Sequence, residues 1–172
     1  MPSINFNMQQ QEHSEWCWAA VTASVDQFFN PESTWCQCRL ANRMAKAVKL
    51  KVKECGTCQK PKGVPEKCNH PWVLDRPLKI VGRLKGNLKL KPLSFAQIEK
   101  RIKAGRPVCA RVQWGPGPDG HFVVISGCDT AKSGNRYVDV EDPLNGSSTW
   151  LFDEFLVNYQ YAQGTWDVTY PV

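Results

Sequence analysis

Apolar residues in the first part of the chain recur at helical spacing. They are Trp18, Val21, Val25 and Phe28, which place one apolar stripe on a helix continuing through residues 21–29. Asn30-Pro31 interrupts this pattern, and a second helix is predicted over residues 40–48, where alanine and long side chains prevail. Residues 1–10 are expected to form an extended lead-in.

The middle of the chain lacks a regular apolar pattern. Lysines, prolines and glycines dominate residues 49–77, and no ordinary hydrophobic core is predicted there. Residues 78–90 have a patchy strand pattern, interrupted by Gly82 and Gly86. Ser94 to Gln97 then forms a capping box that opens a third helix, which Gly105 and Pro107 close.

The second half of the chain predicts short strands. They cover residues 108–114, 122–128, 136–141, 148–152 and 166–170, with turns at 115–120 and 131–135 and a short helix at 153–158. Helices followed by antiparallel strands indicate an α+β fold. We expect one domain over residues 1–172, with a helical half (1–106) that carries a cysteine-rich insertion (36–77) and a β half (107–172).

Charge adds little to this picture. Lysine and arginine exceed aspartate and glutamate by six, mostly through residues 39–103, and a solvated basic surface explains this surplus better than a nucleic-acid site. No run of apolar residues reaches membrane-spanning length. We therefore expect no nucleic-acid partner, no membrane partner, no cofactor, and a monomer.

The cellular location is predicted from two features that conflict. The N-terminus has no recognisable signal peptide, which favours a protein that is cytoplasmic as synthesised. Eight cysteines favour an oxidising compartment instead. Secretion by a system that needs no signal peptide would reconcile the two.

The first candidate for chemistry is Cys17. With Ser14 as the expected N-cap, Cys17 lies in the first turn of the first helix, where unpaired N–H groups and the helix dipole favour thiolate over thiol. Gln11, six residues upstream, is placed to help hold a developing oxyanion. Taken alone, this segment suits a buried core cysteine equally well.

A base and a group to orient it lie in the β half. His121 begins a predicted strand directly after a glycine- and proline-rich turn, where a general base could approach a substrate. Asp142 ends the next strand, and a hairpin would bring it beside His121 to fix the imidazole tautomer. Asp139 is a poorer orienter inside the strand, and His13 is a weaker base candidate because no orienting strand accompanies it.

The remaining cysteines and one tryptophan are assigned structural roles. Two disulfides within the group Cys36, Cys38, Cys55, Cys58 and Cys68 would constrain the region without a core. The less favoured alternative is a zinc site formed by Cys38, Cys55, Cys58 and Cys68. Cys109 and Cys128 are expected in the core, as is Trp150, whose alternative is to shield the pair of His121 and Asp142.

These motifs together resemble those of papain-like cysteine peptidases. Gln11 with Cys17-Trp18-Ala19-Ala20, then Gly120-His121-Phe122-Val123-Val124 and Asp142-Pro143, are similar to the compact bacterial branch. That branch includes leader-peptide peptidases of bacteriocin exporters and effector proteases delivered into host cells. The motif runs at residues 68–72, 93–95 and 105–108 extend the resemblance over most of the chain.

The resemblance implies a papain-like fold and a thiol peptidase acting on a protein or peptide. Cys17 would be the nucleophile, His121 the base and acid, Asp142 the orienter and Gln11 part of the oxyanion hole. Glu15 and Trp16 replace the small residue and second cysteine found in papain, and no propeptide is recognisable. An inhibitor or immunity protein would then control a toxin or effector. Deamidase or acyltransferase chemistry on the same thioester, and a non-catalytic binding module, are the alternatives.

Overall fold

The computed structural model describes residues 2–60, 63–115 and 120–172. Its helices are α1 (Cys17–Phe29), α2 (Gln37–Ala47), α3 (Asp75–Ile80), α4 (Phe95–Lys103) and α5 (Phe152–Val157), with a 3-10 turn at Glu66–Cys68. Its strands are β1 (Val108–Gln113), β2 (Gly120–Thr130), β3 (Arg136–Asp142), β4 (Gly146–Leu151) and β5 (Thr165–Tyr170). The predicted α+β fold is therefore confirmed.

All five strands pair antiparallel in one sheet of order β4-β3-β2-β1-β5. In the β2–β3 pair Val124 lies opposite Glu141, so the start of β2 and the end of β3 meet at one edge. This register brings His121 and Asp142 together.

Alternating strand residues separate two cores on the two faces of the sheet. On β2, Phe122 and Val124 pack with α1 and α2, whereas Val123 and Ile125 pack with the residues of α4 and α5. Helix α1 is buried from Cys17 to Asp26. A helix enclosed in this way fixes the position of the cysteine at its first residue.

Two local predictions are wrong. Ser14 is not the N-cap of α1: Trp16 occupies that position, and the Ser14 hydroxyl accepts a hydrogen bond from Asn69 instead. Residues 78–90 do not form a strand. They begin as the end of α3, which Gly82 closes at a φ of 72°, and only Lys89 makes an isolated bridge, to Thr169. Most of the predicted turn at 115–120 falls on residues 116–119, outside the described residues.

Two disulfides cross-link the cysteine-rich region, as predicted, but the region is not without a core, since Cys55 and Cys68 join the buried cluster that contains α1. Cys36 pairs with Cys58, and Cys55 pairs with Cys68. Three thiols of the alternative zinc set are thereby oxidised, and the fourth, Cys38, is buried against the Glu12 carboxylate at 3.5 Å. Across residues 2–60, 63–115 and 120–172, no helix is long and apolar enough to cross a bilayer.

The predicted capping box provides a test of the helical assignment. Ser94 accepts from the Gln97 N–H, and the Gln97 side chain accepts from the Ser94 N–H. Replacing Ser94 by Ala should lower the free energy of unfolding by about 1 kcal/mol, because one helix N–H loses its acceptor. Urea titration measures this loss, and Ser94→Thr, which keeps the hydroxyl, should restore most of it. Equal stability of Ser94→Ala and wild type would show that the cap adds nothing.

Candidate active site

Cys17 is the first residue of α1 and lies in the floor of a cleft. Its side chain is 8% exposed. The Ala19 N–H donates to Trp16 O at 3.0 Å, so the helix-start N–H groups that remain for a bound group are those of Cys17 and Trp18. The cleft has a volume of about 520 Å³, and its walls include Pro71, Trp72, Arg111, His121 and Phe122.

His121 and Asp142 form the hydrogen bond that the sequence predicted. His121 Nε2 lies 2.7 Å from Asp142 Oδ1, and the side chains are 13% and 0% exposed. Because Nε2 faces the carboxylate, Nδ1 is the ring nitrogen left for the hydrogen bond between His121 and Cys17. The structure thus brings Cys17, His121 and Asp142 into one chain of contacts.

The Asp142 carboxylate is buried, and both of its oxygens accept hydrogen bonds from protein donors. Oδ1 also accepts from the N–H groups of Leu144 (2.7 Å) and Asn145 (3.0 Å), while Oδ2 accepts from Asn145 Nδ2 (3.0 Å) and the Tyr159 hydroxyl (2.7 Å). Burial alone would raise the pKa of this carboxyl. The hydrogen bond and charge of His121, together with Asn145 and Leu144, hold the pKa of Asp142 well below its ordinary value.

The imidazole of His121 responds in the opposite direction. Burial alone would lower its pKa, but hydrogen bonds with Asp142 and Cys17 and the negative charges of both raise the pKa of His121 to about 9. The imidazolium is therefore the dominant form at neutral pH. A histidine held by a carboxylate and in contact with a cysteine is the arrangement found where a thiol acts as nucleophile.

Gln11 braces the loop that leads to Cys17. Its Nε2 donates to the carbonyls of His13 (2.9 Å) and Ser14 (2.7 Å), and its own N–H donates to Pro143 O (2.8 Å). Its Oε1 is buried and has no hydrogen-bond partner within the described part of the chain. Since both Nε2 protons have acceptors, a role of Gln11 in an oxyanion hole stays a prediction.

Three residues around the site were not found from the sequence. Asn145 could have been found, because an aspartate before a Pro-x-Asn-Gly run commonly accepts hydrogen bonds from the turn that follows it. Tyr159 and Trp114 carried no such signal. Tyr159 reaches Asp142 from beyond α5, and the Trp114 ring lies 6.3 Å from that of His121.

The competing candidates make other contacts. The His13 ring packs edge-on against Trp16 with centroids 4.4 Å apart, and Asp139 accepts from Thr149 on β4. Trp150 is a core residue as expected: its ring contacts Tyr159, while Trp114 is the tryptophan beside His121. Cys109 and Cys128 are also buried as expected, and burial raises the pKa of their thiols to about 12 and about 11.

Removing the Asp142 charge should change how His121 titrates. In Asp142→Asn, burial still lowers the pKa of His121 and only Cys17 is left to raise it, so the midpoint should fall clearly below about 9. NMR titration of the His121 Cε1 proton measures this, with His121→Gln as the assignment control. An unchanged midpoint would mean that Asp142 does not stabilise the imidazolium.

The same raised pKa predicts a pH dependence of stability. A histidine that titrates near 9 when folded and near 6.5 when unfolded stabilises the native state fully below pH 6.5 and loses this contribution as pH rises through 9. Urea midpoints of wild type should therefore approach those of His121→Gln between pH 6.5 and 9.5. A constant difference between the two proteins over this range would contradict the expectation.

Tyr159 offers a test of how the carboxylate is held. In Tyr159→Phe, Asp142 Oδ2 loses one of its two donors in a buried site, so the free energy of unfolding should fall by about 1–3 kcal/mol. Tyr161→Phe is the matched control, because that side chain is 81% exposed. Urea titration of both variants measures the difference, and equal losses would contradict the role given to the Tyr159 hydroxyl.

Comparison with known proteins agrees with this geometry. No curated protein is a significant match to the chain. The model of the Peptidase_C39 like family matches residues 3–168, which contain all five helices named above, most of the sheet and every residue of the candidate site. The chain therefore belongs to the Peptidase_C39 like family, a family of cysteine peptidases with the α+β papain-like fold.

Proposed function

We propose that this protein hydrolyses peptide bonds of a protein or peptide substrate with Cys17 as nucleophile, His121 as acid and base, and Asp142 as orienter. The observation that carries the proposal is the position of His121 between the Cys17 thiol and the Asp142 carboxylate at the floor of an open cleft. Family membership supports a cysteine peptidase in general.

Acylation would begin with attack of the Cys17 thiolate on the carbonyl carbon of the scissile bond. The carbonyl oxygen becomes an oxyanion, which the N–H groups at the start of α1 are placed to stabilise. In this proposal Gln11 contributes a further donor once one of its Nε2 hydrogen bonds to a loop carbonyl breaks. The His121 imidazolium then protonates the leaving amine, and a thioester remains on Cys17.

Deacylation would use the same groups in the reverse sense. Neutral His121 takes a proton from water, the resulting hydroxide attacks the thioester carbonyl, and the Cys17 thiolate leaves as His121 regains its positive charge. Asp142 keeps the His121 proton on Nε2 throughout, because the hydrogen bond to Nε2 fixes the ring while Nδ1 gives and takes the transferred proton. Its low pKa keeps it ionised over the whole cycle.

The walls of the cleft suit an extended peptide. Pro71 and Val73 are exposed on one side, with Trp72 half-buried between them, and Arg111 lies on the other wall. Apolar surface left exposed beside a nucleophile commonly binds substrate side chains. Deamidase or acyltransferase chemistry would share the thioester and differ only in the leaving group or in the acceptor that releases it. A non-catalytic binding module would have no need of a buried imidazolium–carboxylate pair.

The setting we propose is an oxidising one. Two disulfides in a region without a core of its own are expected of a protein that works outside the reducing cytosol. A bacterial toxin or effector, monomeric and restrained by an inhibitor or immunity protein before delivery, fits this requirement.

The proposal is tested by incubating wild type, Cys17→Ala and His121→Ala with a diverse peptide library and analysing the products by mass spectrometry. Wild type should generate new peptide termini, His121→Ala should be about 10²–10⁴-fold slower, and Cys17→Ala should be inactive. A mass gain of about one unit at glutamine, from exchange of NH₂ for OH, would identify a deamidase, and peptide conjugates would identify a transferase. No change in any peptide with the oxidised wild-type protein would contradict a peptidase.

A further inference from the structure

Three consecutive residues, Cys68, Asn69 and His70, form hydrogen bonds with the segment on both sides of Cys17. We call these three residues the clamp. The Trp16 indole donates to Cys68 O at 2.8 Å and the Trp18 indole donates to His70 O at 3.0 Å. These two tryptophans flank Cys17 directly in sequence. The clamp therefore holds the residue on each side of the nucleophile.

The central residue of the clamp reaches the loop immediately before Cys17. Asn69 Oδ1 accepts from the Glu15 N–H at 3.0 Å, and Asn69 Nδ2 donates to the Ser14 hydroxyl at 2.8 Å. Pro71, Trp72 and Val73, which follow the clamp, line the cleft beside Cys17. One segment thus positions the nucleophile and forms a substrate wall.

The clamp itself is tied to the rest of the molecule by a disulfide. Its backbone N–H groups donate only to near neighbours, the carbonyls of Pro65, Glu66 and Cys68. Cys68 is bonded to Cys55, and the Cys55 N–H donates to Asn42 Oδ1 on α2 at 2.6 Å. The Cys55–Cys68 disulfide and the Cys55 hydrogen bond to Asn42 thus link the clamp to α2.

We propose that the clamp positions Cys17 for catalysis and that the Cys55–Cys68 disulfide is what holds the clamp in place. A thiol reductant would then inactivate the peptidase without reacting at Cys17, His121 or Asp142. Two reductant thiols supply two electrons and two protons: the Cys55–Cys68 bond breaks, each sulfur gains a proton, and the reductant becomes a disulfide. This inference rests on the proposed function, since it assumes that Cys17 must be positioned against His121.

The second disulfide provides a matched control. Cys36–Cys58 joins cysteines 22 residues apart, compared with 13 for Cys55–Cys68, so its removal frees at least as much chain in the unfolded state. Neither Cys36 nor Cys58 lines the cleft. A general loss of stability should affect both double variants, whereas misplacement of Cys17 should affect only Cys55→Ser/Cys68→Ser.

The experiment measures the rate at which iodoacetamide alkylates Cys17 between pH 5 and 9, without reductant, by mass spectrometry of the Cys17 peptide. Wild type and Cys36→Ser/Cys58→Ser should label rapidly at pH 6, because the imidazolium holds the thiolate. Cys55→Ser/Cys68→Ser should label at least 10-fold more slowly at pH 6 and regain its rate only at higher pH. Wild type treated with dithiothreitol, then freed of it at low pH, should behave like this variant.

Asn69→Ala keeps both disulfides and removes both side-chain hydrogen bonds to the loop. It should slow labelling at pH 6 several-fold, and it decides the question if circular dichroism shows that Cys55→Ser/Cys68→Ser does not fold. Slow labelling of oxidised wild type at pH 6 would overturn the proposed function itself. The clamp alone would be overturned if wild type and the folded Cys55→Ser/Cys68→Ser variant label equally rapidly. If the double variant does not fold, equally rapid labelling of wild type and Asn69→Ala would overturn it.

Discussion

The structure depends on the burial of one carboxylate. Asp142 has a side chain that solvent does not reach, and a charge in such a place is stable only when every lone pair finds a donor. Five hydrogen bonds meet this requirement: two from backbone N–H groups of the turn after β3, one from Asn145, one from Tyr159 and one from His121. The turn, the loop after α5 and the imidazole are therefore all held by the same anion. His121 is oriented as it is because its Nε2 is one of the donors that the buried Asp142 carboxylate requires.

The two halves of the molecule contribute different kinds of order to the site. The sheet fixes His121 and Asp142 through strand register, which a shift of one residue would destroy because it reverses the facing of every side chain. The position of Cys17 instead depends on a loop without regular structure, residues 11–16, before a buried helix. The Gln11 N–H bonds to Pro143 O and so ties this loop to the turn beside Asp142. This hydrogen bond helps fix the position of the segment before Cys17 relative to His121 and Asp142.

Sequence reasoning located what depends on local pattern and missed what depends on tertiary contact. The capping box at Ser94, the short strands of the second half and the place of Cys17 at a helix start all follow from local sequence pattern, and the structure has them. Ser14 has good N-cap chemistry, yet Asn69 engages its hydroxyl from 55 residues away. Tyr159 likewise has its role because the tertiary fold places its hydroxyl beside Asp142, which no local pattern in the sequence indicates. Residues 78–90 lacked a dominant period, and there the ends of helix α3 and contacts with β5 decided the conformation.

The cysteine-rich region shows how the bonds that order a segment can also set the geometry of the candidate site. A segment full of lysine, proline and glycine cannot bury enough apolar surface to order itself, so cross-links must supply the order. Once such a segment forms a wall of the catalytic cleft, whatever orders it also determines the geometry of the cleft. Here the wall after the clamp borders Cys17, and both sequence neighbours of Cys17 donate to clamp carbonyls, Trp16 to Cys68 O and Trp18 to His70 O. The geometry of the cleft wall and the cross-linking of the segment are therefore coupled, because the clamp has its covalent tie to Cys55 only after the disulfide has formed.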